Sequence, residues 1–179
     1  MSCLPNTPTA SNVLSYDEST DHGWYSLGAL ITTALSQYYP LTTTVASLSG
    51  LAQTTEQHCI VKQIEFEETA ATSGDVKKCP LLVLLYNTTA PTTPTSGAVY
   101  NGAKTNLLGI FTIADTDYKR LSDTVWIASI NPNKYVRTGT QSSSSTFYAV
   151  VLSNSGTSVT YAATAAGRLR VFTEAATAL

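Results

Sequence analysis

The sequence predicts an all-β protein: an antiparallel β-sandwich, or jelly-roll-like domain, with an extended N-terminal arm. Three observations support this prediction. The chain of 179 residues contains 29 Thr, 19 Ser and 10 Tyr, and Thr and Tyr favour extended backbone. The apolar segments are short and are bounded by turn-forming residues. No helix-length pattern recurs between them, so the βαβ order of a parallel sheet is not expected.

The sequence divides into an arm and one domain. Residues 1–23 are rich in Pro, Ser, Thr and Asn and have no hydrophobic period, which predicts an extended arm. Residues 24–179 are numerous enough for a single domain with its own core. The N-terminus lacks the basic start and apolar stretch of a secretory signal, so synthesis in a cytoplasm is expected.

Seven segments have the length and composition of strands. In chain order they are residues 58–68, 81–86, 107–113, 124–130, 146–152, 158–164 and 167–172. One or two further strands are expected within residues 27–48. There, apolar residues at helical spacing favour a short helix, whereas Gly28 and the pair Thr32-Thr33 disfavour one. Helix and strand both remain open for residues 27–38.

Two of these strands have informative patterns. In residues 58–68, Ile60, Ile64 and Phe66 are predicted to share one face of a half-buried strand. Residues 81–86, LLVLLY, are apolar on both faces, which predicts a central strand covered on both sides. The residues predicted to lie inside the sandwich are Leu82, Val83, Leu84, Ile110, Ile127, Val150, Leu152, Leu169 and Val171.

A polar segment of about twenty residues separates two apolar strands. This segment, residues 87–106, reads NTTAPTTPTSGAVYNGAKTN. It exceeds ordinary loop length, and loops of this size are usually functional or contact another surface. Its X-Pro steps favour extended backbone. The segment is therefore predicted to cross from one part of the sandwich to another.

The charge of the chain and the length of its apolar stretches argue against two classes of partner. The formal net charge is −2, and charged residues make up 12% of the chain, about half the usual share. No Lys/Arg run forms the basic footprint that nucleic-acid binding needs. No stretch approaches the roughly 18 apolar residues of a membrane span. Neither nucleic acid nor a membrane is therefore an expected partner.

No set of residues predicts catalysis, a cofactor or a metal site. His22 and His58 are the only histidines, and no G-x-S-x-G motif is present, so an activated nucleophile is not expected. Cys59 and Cys79 are expected to be small buried thiols. Together with Cys3 they lack the ligand spacing of a zinc site. We therefore expect a protein that is not an enzyme.

The carboxylates allow two weaker hypotheses. Glu65 and Glu67 share a strand face at about 7 Å, a plausible separation for the two carboxylates of a glycosidase, but a solvated strand face is the preferred interpretation. Asp115, Asp117 and Asp123 surround a turn. Bonding to their own backbone is preferred there to binding a cation, because the spacing of a calcium loop is missing.

Six residues are candidate assembly contacts. They are Trp24, Tyr25, Tyr38, Tyr39, Arg168 and Arg170. Tyr and Trp are favoured at interfaces, where one end of the ring is buried and the other is wet, but capping the core is an equally good interpretation of these four aromatics. The two arginines alternate with apolar residues and so share one exposed strand face, which meets either an acidic partner or solvent.

Four segments follow one another in an order that resembles a known family. IVKQIEFEE resembles the opening strand of its sandwich, and PLLVLLYNTTAPTTPTSGAVYN resembles its apolar strand, Pro-containing loop and aromatic segment. LLGIFTIADTDYKRLSDTVWIASI resembles the next strand, turn and strand, and STFYAVVLSNSGTSVTYAATAAGRLRVF resembles the closing strands. The family is that of the tailed-bacteriophage capsid decoration, or cement, proteins of β-sandwich type.

The resemblance implies a virion structural protein that binds the outer surface of the phage head and stabilises the capsid. Such proteins often form trimers. The expected partners are therefore the major capsid protein and further copies of this chain. The expected location is the capsid exterior, after synthesis in the host cytoplasm.

A second hypothesis uses the same sandwich differently. A head-fibre or tail-associated module could bind a receptor or a glycan, and carbohydrate sites favour exposed aromatics beside Asp or Asn. The candidate aromatics are Tyr100, Tyr118 and Tyr135, near Asn101, Asp117 and Asn133.

Overall fold

The computed structural model describes residues 23–48, 58–87, 90–102, 104–137 and 147–175. The predicted arm lies outside the described residues except for Gly23. Within these ranges the chain forms ten β-strands and two 3-10 turns. In chain order the strands are β1 Tyr25–Ala29, β2 Ala46–Leu48, β3 His58–Thr69, β4 Leu81–Tyr86, β5 Leu107–Ile113, β6 Tyr118–Arg120, β7 Val125–Ile130, β8 Lys134–Arg137, β9 Phe147–Ser153 and β10 Ala166–Ala175.

The strands form two antiparallel sheets, which confirms the all-β prediction. The six-stranded sheet has the order β1-β10-β3-β7-β6, and β8 also pairs with β3. The four-stranded sheet has the order β2-β9-β4-β5. Alternate side chains of both sheets meet in one core that contains, for example, Phe66 and Leu169 from one sheet and Val83 and Phe111 from the other. The protein is therefore a sandwich whose core is filled by inward-facing residues.

One side of the sandwich is closed by the chain between β1 and β2. The Ile31 amide donates to the Leu41 carbonyl at 2.8 Å, and the Leu30 amide donates to the Ala165 carbonyl at 2.9 Å. Residues 27–38 contain no helix, because the strand ends at Ala29 and the chain then continues through isolated bridges. This segment therefore bonds to residues beside β10 of one sheet and to β9 of the other.

A β-bulge changes the predicted faces of β3. Gln63 pairs with Phe172, but Val61 pairs with Thr173, so Lys62 is an additional residue in β3. Because of this bulge, Val61 and Ile64 are both fully buried although they are three residues apart. The predicted shared face of Ile60, Ile64 and Phe66 is therefore wrong for Ile60.

β4 is covered on both faces, as its sequence predicts. Val83 and Leu85 on its inner face belong to the main core. Leu84 and Tyr86 on its outer face form a second apolar cluster with two residues of β9, Val150 and Leu152. This second cluster lies outside the sandwich and needs its own cover.

Two further predictions about the fold are wrong. Residues 158–164 do not form a strand, because only Val159 pairs, in an isolated bridge with Leu35. Ile110 is 52% exposed rather than buried, because it lies on the outer face of β5, an edge strand of its sheet. Ile127, likewise on an outer face, and Leu82 are only half-buried, whereas the other six predicted core residues are buried.

We expect Leu84→Ala to lower the free energy of unfolding by about 2–5 kcal/mol, because it leaves a cavity under the second cluster. Ile110→Ala is the matched control, since Ile110 pairs with Leu84 on the same face and is exposed. Its effect should be about 0.5 kcal/mol or less. Urea unfolding followed by circular dichroism measures both. Equal effects would contradict the burial of Leu84.

Candidate functional site

The outer face of the six-stranded sheet contains a ladder of paired charges. Arg168 of β10 lies opposite Glu67 of β3, and Arg170 lies opposite Glu65. The Nε of Arg170 donates to Oε2 of Glu65 at 2.8 Å, and the Nε of Arg168 lies 3.5 Å from Oε1 of Glu67. These four residues, here called the Arg–Glu ladder, face outward because Leu169 and its inward-facing neighbours fill the core.

The Arg–Glu ladder continues into β7 through an amide side chain. The Nε2 of Gln63 donates to Oε1 of Glu65 at 2.9 Å and to Oγ of Ser129 at 2.8 Å. Three neighbouring strands therefore contribute to one hydrogen-bonded surface. Both carboxylates bond within the protein, and the side chains of Glu65 and Glu67 are only 12% and 13% exposed, so the preferred interpretation of a solvated strand face is wrong for them.

Two aromatic rings enclose the Arg170 guanidinium. Its Cζ lies 4.4 Å from the ring centroid of Trp24 and 4.8 Å from that of Phe172. Trp24 reaches this position because it directly precedes β1, in which Tyr25 pairs with Leu169. Stacking of this kind attracts the cation to the ring faces. It also fixes a long side chain that would otherwise be mobile.

The six candidate assembly contacts fall into two groups. Tyr25 and both arginines belong to the six-stranded sheet, and Trp24 directly precedes its strand β1. Tyr25 packs on the core side of this sheet. Tyr38 and Tyr39 lie beside β9 of the four-stranded sheet, where the Tyr38 amide donates to the Ser153 carbonyl at 2.7 Å. Tyr38 is 44% exposed, and Tyr39 is half-buried against the core. The structure therefore does not bring all six together.

The long polar segment joins the neighbouring, paired strands β4 and β5, so the prediction that it crosses to another part of the sandwich is wrong. It covers the second apolar cluster instead. Its Tyr100 packs on the cluster, and the Tyr100 amide donates to the Tyr38 carbonyl at 3.0 Å. The Tyr100 hydroxyl donates to the Thr92 carbonyl at 3.1 Å and lies near the Tyr86 hydroxyl. Burial, together with the neighbouring Tyr100 hydroxyl, raises the pKa of Tyr86. The segment thus fixes one aromatic residue over the outside of β4.

Gly102 makes room for the Tyr100 ring. A Cβ at Gly102 would lie 2.3 Å from a ring carbon of Tyr100. We expect Gly102→Ala to displace the ring and lower the free energy of unfolding by about 1–3 kcal/mol, as overpacking does. Gly74→Ala is the control, because a Cβ there meets no atom within 4 Å. Equal stability of the two variants in urea would contradict this packing.

A buried carboxylate lies at the other end of β3. Glu68 is fully buried, and its two oxygens accept hydrogen bonds from the amides of Lys77, at 2.6 Å, and Lys78, at 2.9 Å. Sequence reasoning missed this residue. The available signal was its period-two spacing from Ile64 and Phe66, which places Glu68 on the inner face. Glu68 closes the turn between β3 and β4.

Two of the groups near Glu68, Tyr118 and Cys79, contact polar atoms of the protein. The Tyr118 hydroxyl donates to the Cys79 carbonyl at 2.9 Å, and the Cys79 thiol lies 3.4 Å from Oγ of Ser153. Burial raises the pKa of the Cys79 thiol and raises that of Cys59 to about 12. Both cysteines are free and buried, as predicted, and a protonated thiol is a poor nucleophile.

Burial raises the pKa of Glu68 above 4.5, so its contribution to stability has an unusual sign. The folded state binds the proton more tightly than the unfolded state does. The contribution is therefore fully present below pH 4.5 and is lost as the pH rises through the folded value. We expect the stability of the wild type relative to Glu68→Gln to fall as the pH rises. Urea unfolding across a pH series measures this difference, and a difference that rises with pH would contradict it.

The structure also bears on the metal, cation and glycan sites considered from the sequence. No group of three His, Cys, Asp or Glu there could hold a metal ion. Asp117 accepts the Ala114 amide at 2.8 Å, and Asp123 pairs with Arg120, which favours the turn interpretation. Tyr118 is 5% exposed, so its interpretation as a glycan contact is wrong.

Comparison of the sequence with models of known protein families and with curated proteins finds no match to either. In the described part of the chain, no helix has the length and apolar character needed to cross a membrane.

Proposed function

We propose that this protein is a virion structural protein that binds the outer surface of a tailed-phage head and stabilises the capsid. Its partners are the major capsid protein and two further copies of the chain in a homotrimer. The order of segments that resembles the decoration proteins supports this proposal. The structural observation behind it is the Arg–Glu ladder with its stacked Trp24, on a broad sheet face.

This surface suits a permanent protein contact. The Arg168 side chain is 43% exposed to solvent, and the Arg170 side chain is 21% exposed. The described residues therefore leave this face partly open. Burying a charge is costly unless it is already paired and hydrogen-bonded. In the ladder each carboxylate already has a guanidinium partner. A shell protein can therefore cover this face without supplying a countercharge for each group.

The fixed geometry of the ladder also favours binding. Association costs about 0.5–1.5 kcal/mol for each flexible side chain that it immobilises. Arg170 is already fixed by Glu65 and by the rings of Trp24 and Phe172. Trp and Arg are the residues most enriched among those that dominate binding energy. Trp24 is therefore the expected centre of the contact, and we propose no enzymatic activity for the protein.

The test is co-sedimentation with expanded heads that lack the protein. Trp24→Ala should weaken binding by about tenfold or more, as loss of a dominant interface residue does. Leu121→Ala is the matched control, because Leu121 is a 68% exposed apolar residue that follows β6 of the same sheet. Urea unfolding of both variants separates lost binding from lost folding.

Two further experiments test the proposal as a whole. Deletion of residues 1–21 should weaken attachment, and attachment of the full chain should persist at high salt, because few charges are left to be screened. If Trp24→Ala binds heads as tightly as the wild type, the Arg–Glu ladder is not part of the interface. If the full chain binds no heads, the cement hypothesis fails and the receptor-binding alternative is favoured.

A further inference from the structure

The edge strands of the two sheets differ in how they are protected. β2 and β6 have only three residues each. β8 has four residues, including Lys134 and Arg137, and β1 contains a bulge beside Gly28, whose φ is 77°. Short length, charge and bulges are the usual devices that prevent an edge from pairing with another chain.

β5 has a bulge at Leu108, near its start, but its residues 109–113 pair with β4 in regular register and carry none of these devices. Its sequence LLGIFTI is seven residues long, without charge or proline. It pairs with β4 on one side. Among the described residues, no backbone hydrogen bond other than the turn bond from the Leu107 amide to the Lys104 carbonyl is made away from β4. Ile110, at its middle, is 52% exposed. A long, uncharged, apolar edge is a ready template for a further strand.

A groove of about 540 Å³ runs along this free edge. Residues 110–112 of β5 line one wall, and residues 130–134 between β7 and β8 line the other. Lys134 is the charged residue of the lining, and its Nζ lies 5.3 Å from the Phe111 ring centroid. A Cβ at Gly109 would lie 3.0 Å from this Nζ. The Lys134 ammonium group therefore lies against β5 at Gly109, where the absence of a side chain leaves space for it.

We propose that β5 accepts an extended strand of a different protein, and that this strand carries an acidic side chain that pairs with Lys134. The incoming backbone hydrogen-bonds the free side of β5, while its alternate side chains enter the groove. Within the described residues Lys134 makes no ion pair, so a carboxylate supplies the missing partner. The proposal stands independently of head binding.

A second copy of this chain fits the edge less well. In antiparallel self-pairing centred on Ile110, Gly109 of one copy lies opposite Phe111 of the other. Lys134 contacts both of these residues, so two ammonium groups would meet at the same place. Like charges in such proximity oppose the pairing. Charge therefore selects an acidic strand of different sequence.

The experiment uses the purified full chain and a set of capped peptides of alternating Thr and Val. An Asp, Asn or Lys is moved through every position of the peptide, so that the set includes every register. Binding is measured by fluorescence anisotropy, and the contact is mapped by NMR chemical shifts. We expect the best Asp peptide to bind about fivefold more tightly than its Asn counterpart, the upper range for an exposed ion pair. Shifts should concentrate in β5 and residues 130–134.

Three variants make the result specific. Lys134→Gln should abolish the preference for Asp while the Asn peptide still binds. Ile110→Lys, which adds a positive charge to the edge, should weaken the Asn and Lys peptides about tenfold or more. Leu121→Lys, at a remote exposed position, should change nothing.

Several results would overturn the proposal. They are the absence of binding by any peptide, an Asp preference that survives Lys134→Gln, and shifts that lie elsewhere. Sedimentation that shows a dimer of the wild type, lost in Ile110→Lys, would assign the edge to a second copy instead. Because no heads are present, each of these results leaves the head-binding test unaffected.

Discussion

The strand LLVLLY imposes the constraint on which the rest of the structure depends. Its inner residues are covered by the six-stranded sheet, as in any sandwich. Its outer residues, Leu84 and Tyr86, would expose apolar surface to water unless something covered them as well. Burial of such side chains is the main favourable contribution to folding. The chain therefore needs a second cover outside the sandwich, and the polar segment between β4 and β5 supplies Tyr100 for it.

This requirement explains the composition of the polar segment. A cover that lies on the surface must satisfy its own backbone groups and face water. Thr, Ser and Asn do so, while the X-Pro steps keep the backbone extended. The Tyr100 hydroxyl donates to the Thr92 carbonyl and lies near the Tyr86 hydroxyl, so Tyr100 contacts both its own segment and the strand that it covers. The detour is long because it must leave the sheet, cross its outer face and return to the neighbouring strand.

The sequence predicts most strands because each is an apolar run between turn residues, and β4 and β5 are confirmed to the residue. It could not predict the bulge at Lys62, because an additional residue leaves no mark in a run that still alternates locally. It also could not show that Ile110 lies at an edge, which depends on sheet order. In the ladder, the shared face of the arginines follows from alternation, but their partners Glu65 and Glu67 depend on strand register.

The few charges of this chain are used in two opposite ways. In the Arg–Glu ladder each charge is compensated within the same sheet, so a partner gains from shape and from Trp24 rather than from countercharge. At the groove, Lys134 is held against Phe111 and Gly109 without a carboxylate among the described residues. A partner there must bring a negative charge. Under the two proposals, the first surface serves broad, salt-tolerant attachment, whereas the second selects one strand by its sequence, because an uncompensated charge discriminates among partners.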